Sequence, residues 1–451
     1  TGSCVSTNGN KILFIRLRCS RKRLMIFLSS LPFFTQGIGS DALTSVVHAG
    51  HFTSLDHVPW STTANVVSGL VAAPVLCFVA DRFGRKVGIF IISLVQGISC
   101  IPLLLDISEV NVIVLHILAG ISSGGLFTVF PIYIREISSR QNRGFALSLL
   151  MPMTAAGYLM KLAMGLEALS FFIVVLVVIQ VILVFCLEES PSYLVMIGNY
   201  ERAKIAISRL KCLPSEHPTV LDNITSLKDE SKGAKAAGKL NTITILKNPI
   251  WRDATKIGLV LHSVMILGGN ILFLDQNKTL TQLQMPEDPD KLLTLACFFA
   301  GSIFCTLMIR YLLTSAYALM VLSMGILAVY TQADLTVYTL RWVPVAALGV
   351  LLFGYGVAWG LPTVIITELF NCEIRSHQLA LLYVYLQLIK LAHVYSFPSI
   401  ENFMGVYTAL YVFVGVNLFG AVYCLFHVPS LKNKTTRQIE RQLKRVPLLK
   451  M

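Results

Sequence analysis

Residues 168–187 form the sequence ALSFFIVVLVVIQVILVFCL, twenty residues without a charged side chain. An α-helix rises about 1.5 Å per residue, so a run of this length crosses the hydrocarbon core of a bilayer, which is about 30 Å thick. No water reaches the backbone inside that core, and a helix satisfies every peptide group internally. The stretch therefore predicts a transmembrane helix.

Eleven further apolar runs of similar length accompany it along the 451-residue chain, which is 55% hydrophobic and only 14% charged. A soluble globular protein carries about 25% charged residues. These features predict an all-α membrane protein with twelve transmembrane helices. The predicted spans are 24–44, 60–80, 87–105, 111–131, 145–165, 168–187, 257–276, 292–309, 315–332, 342–366, 378–397 and 403–427.

The basic residues lie in blocks between these runs, which argues against a nucleic-acid-binding face as the cause of the net charge of +13. Lys161, Lys278, Lys291 and Arg341 fall on one side of the predicted topology and Lys390 falls inside a span, leaving 32 of the 37 Lys and Arg on the other side. The positive-inside rule then predicts that both termini and the long middle loop are cytoplasmic.

An internal repeat divides the chain into two halves. Glu136 and Arg143 follow the fourth span, and Glu368 and Arg375 follow the tenth, both pairs offset by 232 residues. Two related six-span halves place a solute cavity between them near the middle of the membrane. The predicted organisation is a basic N-terminus 1–23, a first half 24–187, a middle loop 188–256, a second half 257–427 and a cytoplasmic tail 428–451.

Several motifs carry a family resemblance. Residues 81–86 (DRFGRK) resemble the loop signature of the major facilitator superfamily, and residues 131–136 (PIYIRE) resemble its sugar porter branch. Residues 189–194 (ESPSYL) and 368–370 (ELF) complete the series in the expected order. Within that branch the chain is similar to the insect facilitated trehalose transporters and their glucose-transporter relatives. The resemblance implies the major facilitator fold and transport by alternating access.

The charged motifs predict an inner gate. Gly84 suits a tight turn where a side chain would crowd the backbone, and its basic neighbours can pair with Glu136 and with helix C-termini. We treat each pair as solvent-exposed and worth about 0–1 kcal/mol. The alternative is that these charges are solvated and set only the topology. The predicted gating residues are Asp81, Arg82, Gly84, Arg85, Lys86, Glu136, Arg143, Glu368 and Arg375.

The second half departs from the family pattern at residues 308–314 (MIRYLLT), where the acid and the glycine of the turn are missing. One half of the gate is therefore expected to be weaker. His116 stands where the family carries an arginine in the fourth span.

The resemblance also implies a solute pocket, and this is where the chain diverges most. Most amides that face the sugar in the family are replaced, so that Asn270, Thr363 and Gln387 are the polar remnants. The predicted pocket residues are Met151, Asn270, Phe273, Thr363, Gln387 and Lys390.

Lys390 has two interpretations. A lysine near the bilayer centre costs about 2.5–3.5 kcal/mol on insertion scales. Its ammonium group either reaches the outer interface along the four-carbon stem or faces the cavity. His262 and His393 are expected to be packed rather than to bind a ligand.

Three functions stay open at this point. The first is facilitative transport of a small solute, expected to be a sugar of the trehalose or glucose type. The second is a proton- or anion-coupled carrier that uses Lys390 or His116, and the third is a nutrient sensor or inert homologue that binds without carrying. No nucleotide motif and no catalytic or metal-ligand spacing is present, so neither an enzyme nor a cofactor is predicted.

The expected partners are a small-molecule substrate and the lipid bilayer, with no nucleic acid and no obligate protein partner. The family's usual place is the plasma membrane. Three Asn-x-Ser/Thr sites occur, and the predicted topology puts only Asn277 outside the cell, with Asn223 and Asn433 in the cytosol.

Overall fold

The computed structural model describes a defined set of residues, and all regular secondary structure among them is helical. These residues are 25–39, 60–101, 109–164, 166–235, 245, 247–270, 272, 287–307, 312–332, 342–429, 431, 434 and 436–445.

Each predicted span falls on a helix or a pair of helices. By length and composition alone, six helices of the described part could cross a membrane, and three shorter ones are apolar. In chain order the spans are Met25–Gly39, Trp60–Phe83, Arg85–Ser99, Glu109–Leu126 with Val129–Ile137, Arg143–Ser148 with Leu150–Ala163, Leu166–Val184, Pro249–Leu267, Glu287–Leu307, Leu312–Gln332, Trp342–Trp359 with Leu361–Leu369, Cys372–Met404 and Val406–His427, here numbered 1 to 12.

Four shorter helices of the described part lie at one end of the bundle. We call it the basic end because the motifs 81–86 and 136–143 and the middle loop meet there. The middle loop contributes Pro191–Met196, Tyr200–Lys211 and Pro218–Lys235, and the tail contributes Thr436–Arg445. The last middle-loop helix packs against span 11, and the tail helix packs against spans 7 and 10. The stretch 228–239, expected to be a polar helix or linker, is helical as far as Lys235.

Span 7 begins eight residues before the predicted start at 257. The Asn248 side chain accepts a hydrogen bond from the Ile250 backbone N–H at 3.1 Å, and Pro249 occupies the first turn. Both residues are standard N-terminal signals. Residues 249–256 were not included in the predicted span because three of them are charged, which lowers the hydropathy of the segment although Trp251 and Ala254 are buried.

Span 7 is interrupted inside its predicted limit at 276, since Asn270 and Leu272 beyond the interruption are again helical. The helix stops at Leu267, and Gly269 adopts a φ of 111°, a conformation that favours glycine. The Asn417 side chain in span 12 donates to the Gly268 carbonyl at 2.7 Å and to the Phe413 carbonyl at 2.9 Å. A backbone break at membrane depth is tolerated where buried partners satisfy its polar groups.

Two main apolar cores form among the described residues, one mostly in the first half around Phe33, Phe130 and Tyr133 and the other mostly in the second half around Phe298 and Tyr317. The halves meet where span 2 packs along span 11 and span 5 packs along span 8. This arrangement leaves a space between them at mid-bundle, bounded by residues of both halves.

Candidate functional site

A cavity of about 180 Å³ lies between the two halves. Spans 1, 2, 4 and 5 of the first half and spans 7, 10 and 11 of the second half line it. The lining residues are Gln36, Asn65, Ser123, Phe127, Met151, Thr154, Tyr158, His262, Met265, Ile266, Asn270, Trp359, Thr363, Ile366, Leu379, Leu382, Tyr383, Leu386, Gln387 and Lys390.

The structure brings five of the six predicted pocket residues to this cavity: Met151, Asn270, Thr363, Gln387 and Lys390. Phe273, the sixth, lies outside the described residues, as does the predicted glycosylation site Asn277.

Two of the predicted amides are already held by tyrosines. The Tyr355 hydroxyl donates to Asn270 Oδ1, and Gln387 Nε2 donates to the Tyr383 hydroxyl at 2.6 Å. The Tyr383 hydroxyl also lies 3.3 Å from Ser123 Oγ, a contact that joins span 11 to span 4 across the halves. These tyrosines fix the orientation of the amides, which leaves the remaining amide groups available to a solute.

Aromatic rings form one wall of the cavity. The Trp359 centroid lies 6.2 Å from that of Phe127 and 6.4 Å from that of Tyr158, and Tyr383 stacks on Phe127 at 6.4 Å. A flat apolar face of this kind suits the C–H face of a pyranose ring. Trp359 was not predicted, and it stands one helical turn before the predicted pocket residue Thr363 on the same face.

Two amides of the first half, Gln36 and Asn65, also line the cavity and were not predicted. Gln36 Oε1 accepts hydrogen bonds from Ser122 Oγ at 3.1 Å and from Gln96 Nε2 at 3.3 Å. Gln180 Nε2 in turn donates to Gln96 Oε1 at 2.7 Å. The cavity is therefore richer in amides than the family alignment indicated.

The 232-residue offset extends into the cavity. Phe127 and Trp359 are equivalent under it, and their rings meet between the halves. Spans 5 and 11 present three equivalent pairs to the cavity: Met151 with Tyr383, Thr154 with Leu386, and Tyr158 with Lys390. The pairs match in position but differ in chemistry, so the lining is asymmetric.

Two basic side chains reach the cavity. Lys390 is a lining residue, and none of the residues that line the cavity, all within the described part, is acidic. His262 is buried beside it, and its Nδ1 has no hydrogen-bond partner among the described residues. His393 instead packs between the rings of Phe397 and Phe413, with centroids 5.8 and 5.9 Å away.

At the basic end the repeated motifs exchange partners across the halves. Arg375 Nη1 lies 3.4 Å from Glu136 Oε1, and Arg143 Nη1 lies 3.3 Å from Glu368 Oε2. Each glutamate thus pairs with the arginine of the other half. Arg135 Nε adds a second contact to Glu368 Oε2 at 3.4 Å. We call these two pairs the latch.

A second set of contacts holds the latch in place. Arg85 Nε lies 3.3 Å from Glu136 Oε2, and Arg85 also pairs with Asp81. The Ser376 hydroxyl donates to Asp81 Oδ1 at 2.8 Å, which adds a further link between the halves. Glu230 of the middle loop lies 3.7 Å from Arg375.

The expectation of exposed pairs is wrong for most of the latch. The side chains of Glu136 and Arg375 are fully buried, that of Arg85 is 1% exposed, and those of Glu368 and Arg143 are 10% and 17% exposed. Removing one partner of a buried ion pair costs about 3–5 kcal/mol, because the other charge is left without compensation. The exposed-pair estimate therefore does not apply to Glu136.

The loop 81–86 closes against the start of the middle loop. Gly84 adopts a φ of 118°, and a Cβ there would lie 2.4 Å from Glu189 Oε2. Glu189 accepts hydrogen bonds from the backbone N–H groups of Arg85 and Lys86, although burial raises the pKa of its carboxyl.

Lys86 and Arg82 differ in their contacts. Lys86 Nζ donates to the Phe185 carbonyl at 2.8 Å, just past the end of span 6, which is the expected contact with a helix C-terminus. Arg82 is exposed, and its backbone carbonyl accepts a hydrogen bond from the Tyr193 hydroxyl at 3.1 Å.

Two expectations remain without a site role. His116 is buried and contacts its own helix, with Nδ1 2.8 Å from the Val112 carbonyl. The predicted weak turn of the second half falls partly on residues 308–311, which lie outside the described residues.

At the opposite end from the latch, Thr63 Oγ1 and the Tyr395 hydroxyl lie 2.9 Å apart and join span 2 to span 11.

Comparison with known proteins places this architecture in a family. The putative metabolite transport protein YwtG of Bacillus subtilis is 23% identical over 85% of this chain and 87% of its own length. The facilitated trehalose transporter Tret1 of Drosophila virilis is 21% identical over 93% of this chain and 48% of its own. The solved structure of the proton:xylose symporter XylE bound to 6-bromo-6-deoxy-D-glucose covers 94% of this chain and 100% of its own, with 15% identity and a TM-score of 0.78.

The family described as sugar (and other) transporter matches residues 48–443. Together with the helices that the described residues form in the predicted spans and the matching solved fold, this match confirms the predicted fold class. The chain is a multi-pass membrane protein that belongs to the sugar (and other) transporter family of the major facilitator superfamily.

Proposed function

We propose that this chain carries a sugar-class solute across the membrane by alternating access, with the cavity between the halves as the solute site. One observation supports this above the others. Amide and hydroxyl groups and an aromatic wall converge on a space bounded by both halves, while an ion-pair latch joins the same halves at the basic end.

The chemistry of the lining suits a polyhydroxylated ring. Asn65, Asn270 and Gln387 offer amide donors and acceptors for hydroxyl groups. Trp359 offers a flat apolar face to the C–H groups of the ring. Known relatives point to the same class, since Tret1 is named as a trehalose transporter and XylE as a xylose symporter.

The latch supplies the two-state element that alternating access requires. The ion pairs Glu136–Arg375 and Glu368–Arg143 join the two halves at the basic end, and we propose that this closes the cavity toward that end. Opening toward that end separates the halves there and exposes all four charges to water, where each pair is worth little. A solute that binds the two states unequally then shifts their populations.

We propose further that the protein lies in the plasma membrane and that its basic end faces the cytoplasm. The positive-inside bias supports this orientation. The same topology supports the division at 24–187 and 257–427 into two halves, with Asn277 outside the cell. We propose no catalytic step and no cofactor, because carrying a solute through this cavity needs neither.

Uptake into vesicles that contain the purified protein tests the proposal. Labelled glucose and trehalose should enter faster than into empty vesicles, and Trp359→Ala should reduce this difference by about tenfold at low sugar concentration. Glu216 is exposed, and Glu216→Gln provides a control that changes neither the cavity nor the latch. Binding of either sugar without uptake would indicate that the protein is a sensor and not a transporter. Absence of both binding and uptake would reject the proposal.

A coupled carrier is a second candidate, favoured by Lys390 and His262 in the cavity. The same uptake repeated with a pH gradient separates it from a uniporter. A gradient that drives accumulation above equilibrium identifies coupling, whereas equal final levels with and without the gradient identify facilitated transport.

A further inference from the structure

We propose that the cavity is built for a hydroxylated solute that carries a carboxylate, a sugar acid, with Lys390 as the group that binds the carboxylate. This inference rests on the proposed role of the cavity as the solute site and narrows the class of solute. It follows from the charge of the lining rather than from its shape.

The first step is the charge imbalance. Lys390 lines the cavity on span 11, and all the other lining residues are uncharged side chains apart from the titratable His262. The Lys390 side chain is half-buried, and an ammonium group withdrawn from water with no acidic side chain among the described lining residues is costly. A bound anion removes that cost, whereas a neutral sugar leaves it in place.

The second step is the pseudo-symmetry. Tyr158 occupies the position in span 5 that Lys390 occupies in span 11, and both residues line the cavity. The fold therefore accommodates an uncharged side chain at this depth. The lysine is a feature of one side of the cavity only, which gives an asymmetric solute a single preferred orientation.

The third step is an independent polar group without a partner. His262 is more than nine-tenths buried, lines the cavity, and leaves Nδ1 without a hydrogen bond among the described residues. A buried polar atom of this kind is normally satisfied. A hydroxyl group of the solute, which glucose and glucuronate both carry, would satisfy it.

The remaining lining suits the rest of such a solute. Trp359 and Tyr158 offer ring faces 6.4 Å apart between centroids, and Asn65 and Asn270 offer amides for the hydroxyl groups. Glucuronate and glucose are a matched pair of probes. They share the same ring and differ only at the sixth carbon, which carries a carboxylate in one and a hydroxymethyl group in the other.

Binding of both probes to the purified full chain, measured by titration calorimetry, tests the inference. Wild type should bind glucuronate more tightly than glucose. Lys390→Met should lower the affinity for glucuronate by about 10- to 100-fold and leave that for glucose within about threefold, because a hydrogen bond to a charged group is lost only for glucuronate. Lys390→Arg, which keeps the charge, should retain most of the preference.

Two further variants serve as controls. His262→Leu should weaken both probes together, since its contact does not depend on the carboxylate. Lys204→Gln removes the same charge from an exposed pair in the middle loop and should change neither affinity. The ratio of the two affinities within one variant is the readout, so a fraction of misfolded protein cancels.

Each outcome has a defined meaning. A ratio that Lys390→Met leaves unchanged, or wild type that binds glucose but not glucuronate, overturns the inference and leaves the proposed function intact. Glucuronate binding that depends on Lys390, without uptake of any sugar or sugar acid, supports the inference and rejects the transport function.

Discussion

The latch and the cavity use the two halves of the molecule in opposite ways. In the latch the halves contribute the same residues, so that Glu136–Arg375 and Glu368–Arg143 repeat one interaction. In the cavity, equivalent positions carry different residues, such as Tyr158 opposite Lys390. Closure of two related halves favours symmetric contacts, whereas recognition of an asymmetric solute favours a lining that differs between them.

Glu136→Gln should produce the largest effect, because it leaves the buried Arg85 and Arg375 without their shared counter-charge. The closed state of the latch should be destabilised by about 3–5 kcal/mol relative to the open state, in which these charged groups are exposed to water. Transport should fall more than tenfold at normal expression.

Alkylation of native cysteines reports this opening directly. Cys372 is buried three residues before Arg375, while Cys186 is exposed and serves as an internal standard. Peptide-resolved labelling should rise at Cys372 in Glu136→Gln and stay constant at Cys186. Unchanged labelling of Cys372 together with normal transport would reject the gating role of Glu136.

The two arginines of the latch should differ although they are equivalent by symmetry. Arg375 is fully buried, whereas Arg143 is 17% exposed and its partner Glu368 keeps a second contact to Arg135. We expect Arg375→Ala to destabilise the closed state by at least 1 kcal/mol more than Arg143→Ala. Equal Cys372 labelling in the two variants would show that burial does not distinguish the halves.

A substitution in the cavity should change solute binding and leave the latch closed. Trp359→Ala removes the ring face between Phe127 and Tyr158 and should lower sugar affinity by about tenfold. Labelling of Cys372 should stay as in wild type, because the latch contacts are unchanged. Loss of affinity accompanied by latch opening would mean that the tryptophan supports the closed state rather than the solute.

Gly84→Ala should have the smallest effect of the series, about 1 kcal/mol or somewhat more. Its φ of 118° strains any side chain, and the added Cβ would press on Glu189. Gly198 has a φ of 84° but open space around it, so Gly198→Ala is the matched control for strain alone. Melting temperatures measured in detergent compare the two variants. A larger decrease in melting temperature for Gly198→Ala than for Gly84→Ala would contradict the prediction.

The latch could be predicted from the sequence because its residues repeat at one offset and carry charge. Glu136 and Arg375 were identified in this way, but their exchange across the halves needs the packing of spans 4 and 11. Their burial was not predicted, since the sequence places them beside a loop and gives no sign that the middle-loop helix carrying Glu230 covers Arg375.

The cavity could be predicted only in part. Asn270, Gln387 and Lys390 were predicted because they occupy positions that the family resemblance assigns to the pocket. Trp359 and Phe127 resemble ordinary membrane aromatics until the halves are assembled. Gln36 and Asn65 were not predicted because they do not occupy positions that the family resemblance assigns to the pocket. The break at Gly269 was missed because the hydropathy of span 7 continues across it.

The central claim is that the latch must open for a solute to pass, and a reversible cross-link tests it most directly. Ser376 Oγ and Asp81 Oδ1 lie 2.8 Å apart across the halves, so Asp81→Cys with Ser376→Cys places two thiols at the latch. Oxidation should stop sugar uptake in proportion to the bridge formed, and a reductant should restore it. Each single-cysteine variant should keep its own uptake rate after oxidation. Full uptake by protein in which the bridge is quantified as formed would contradict the account.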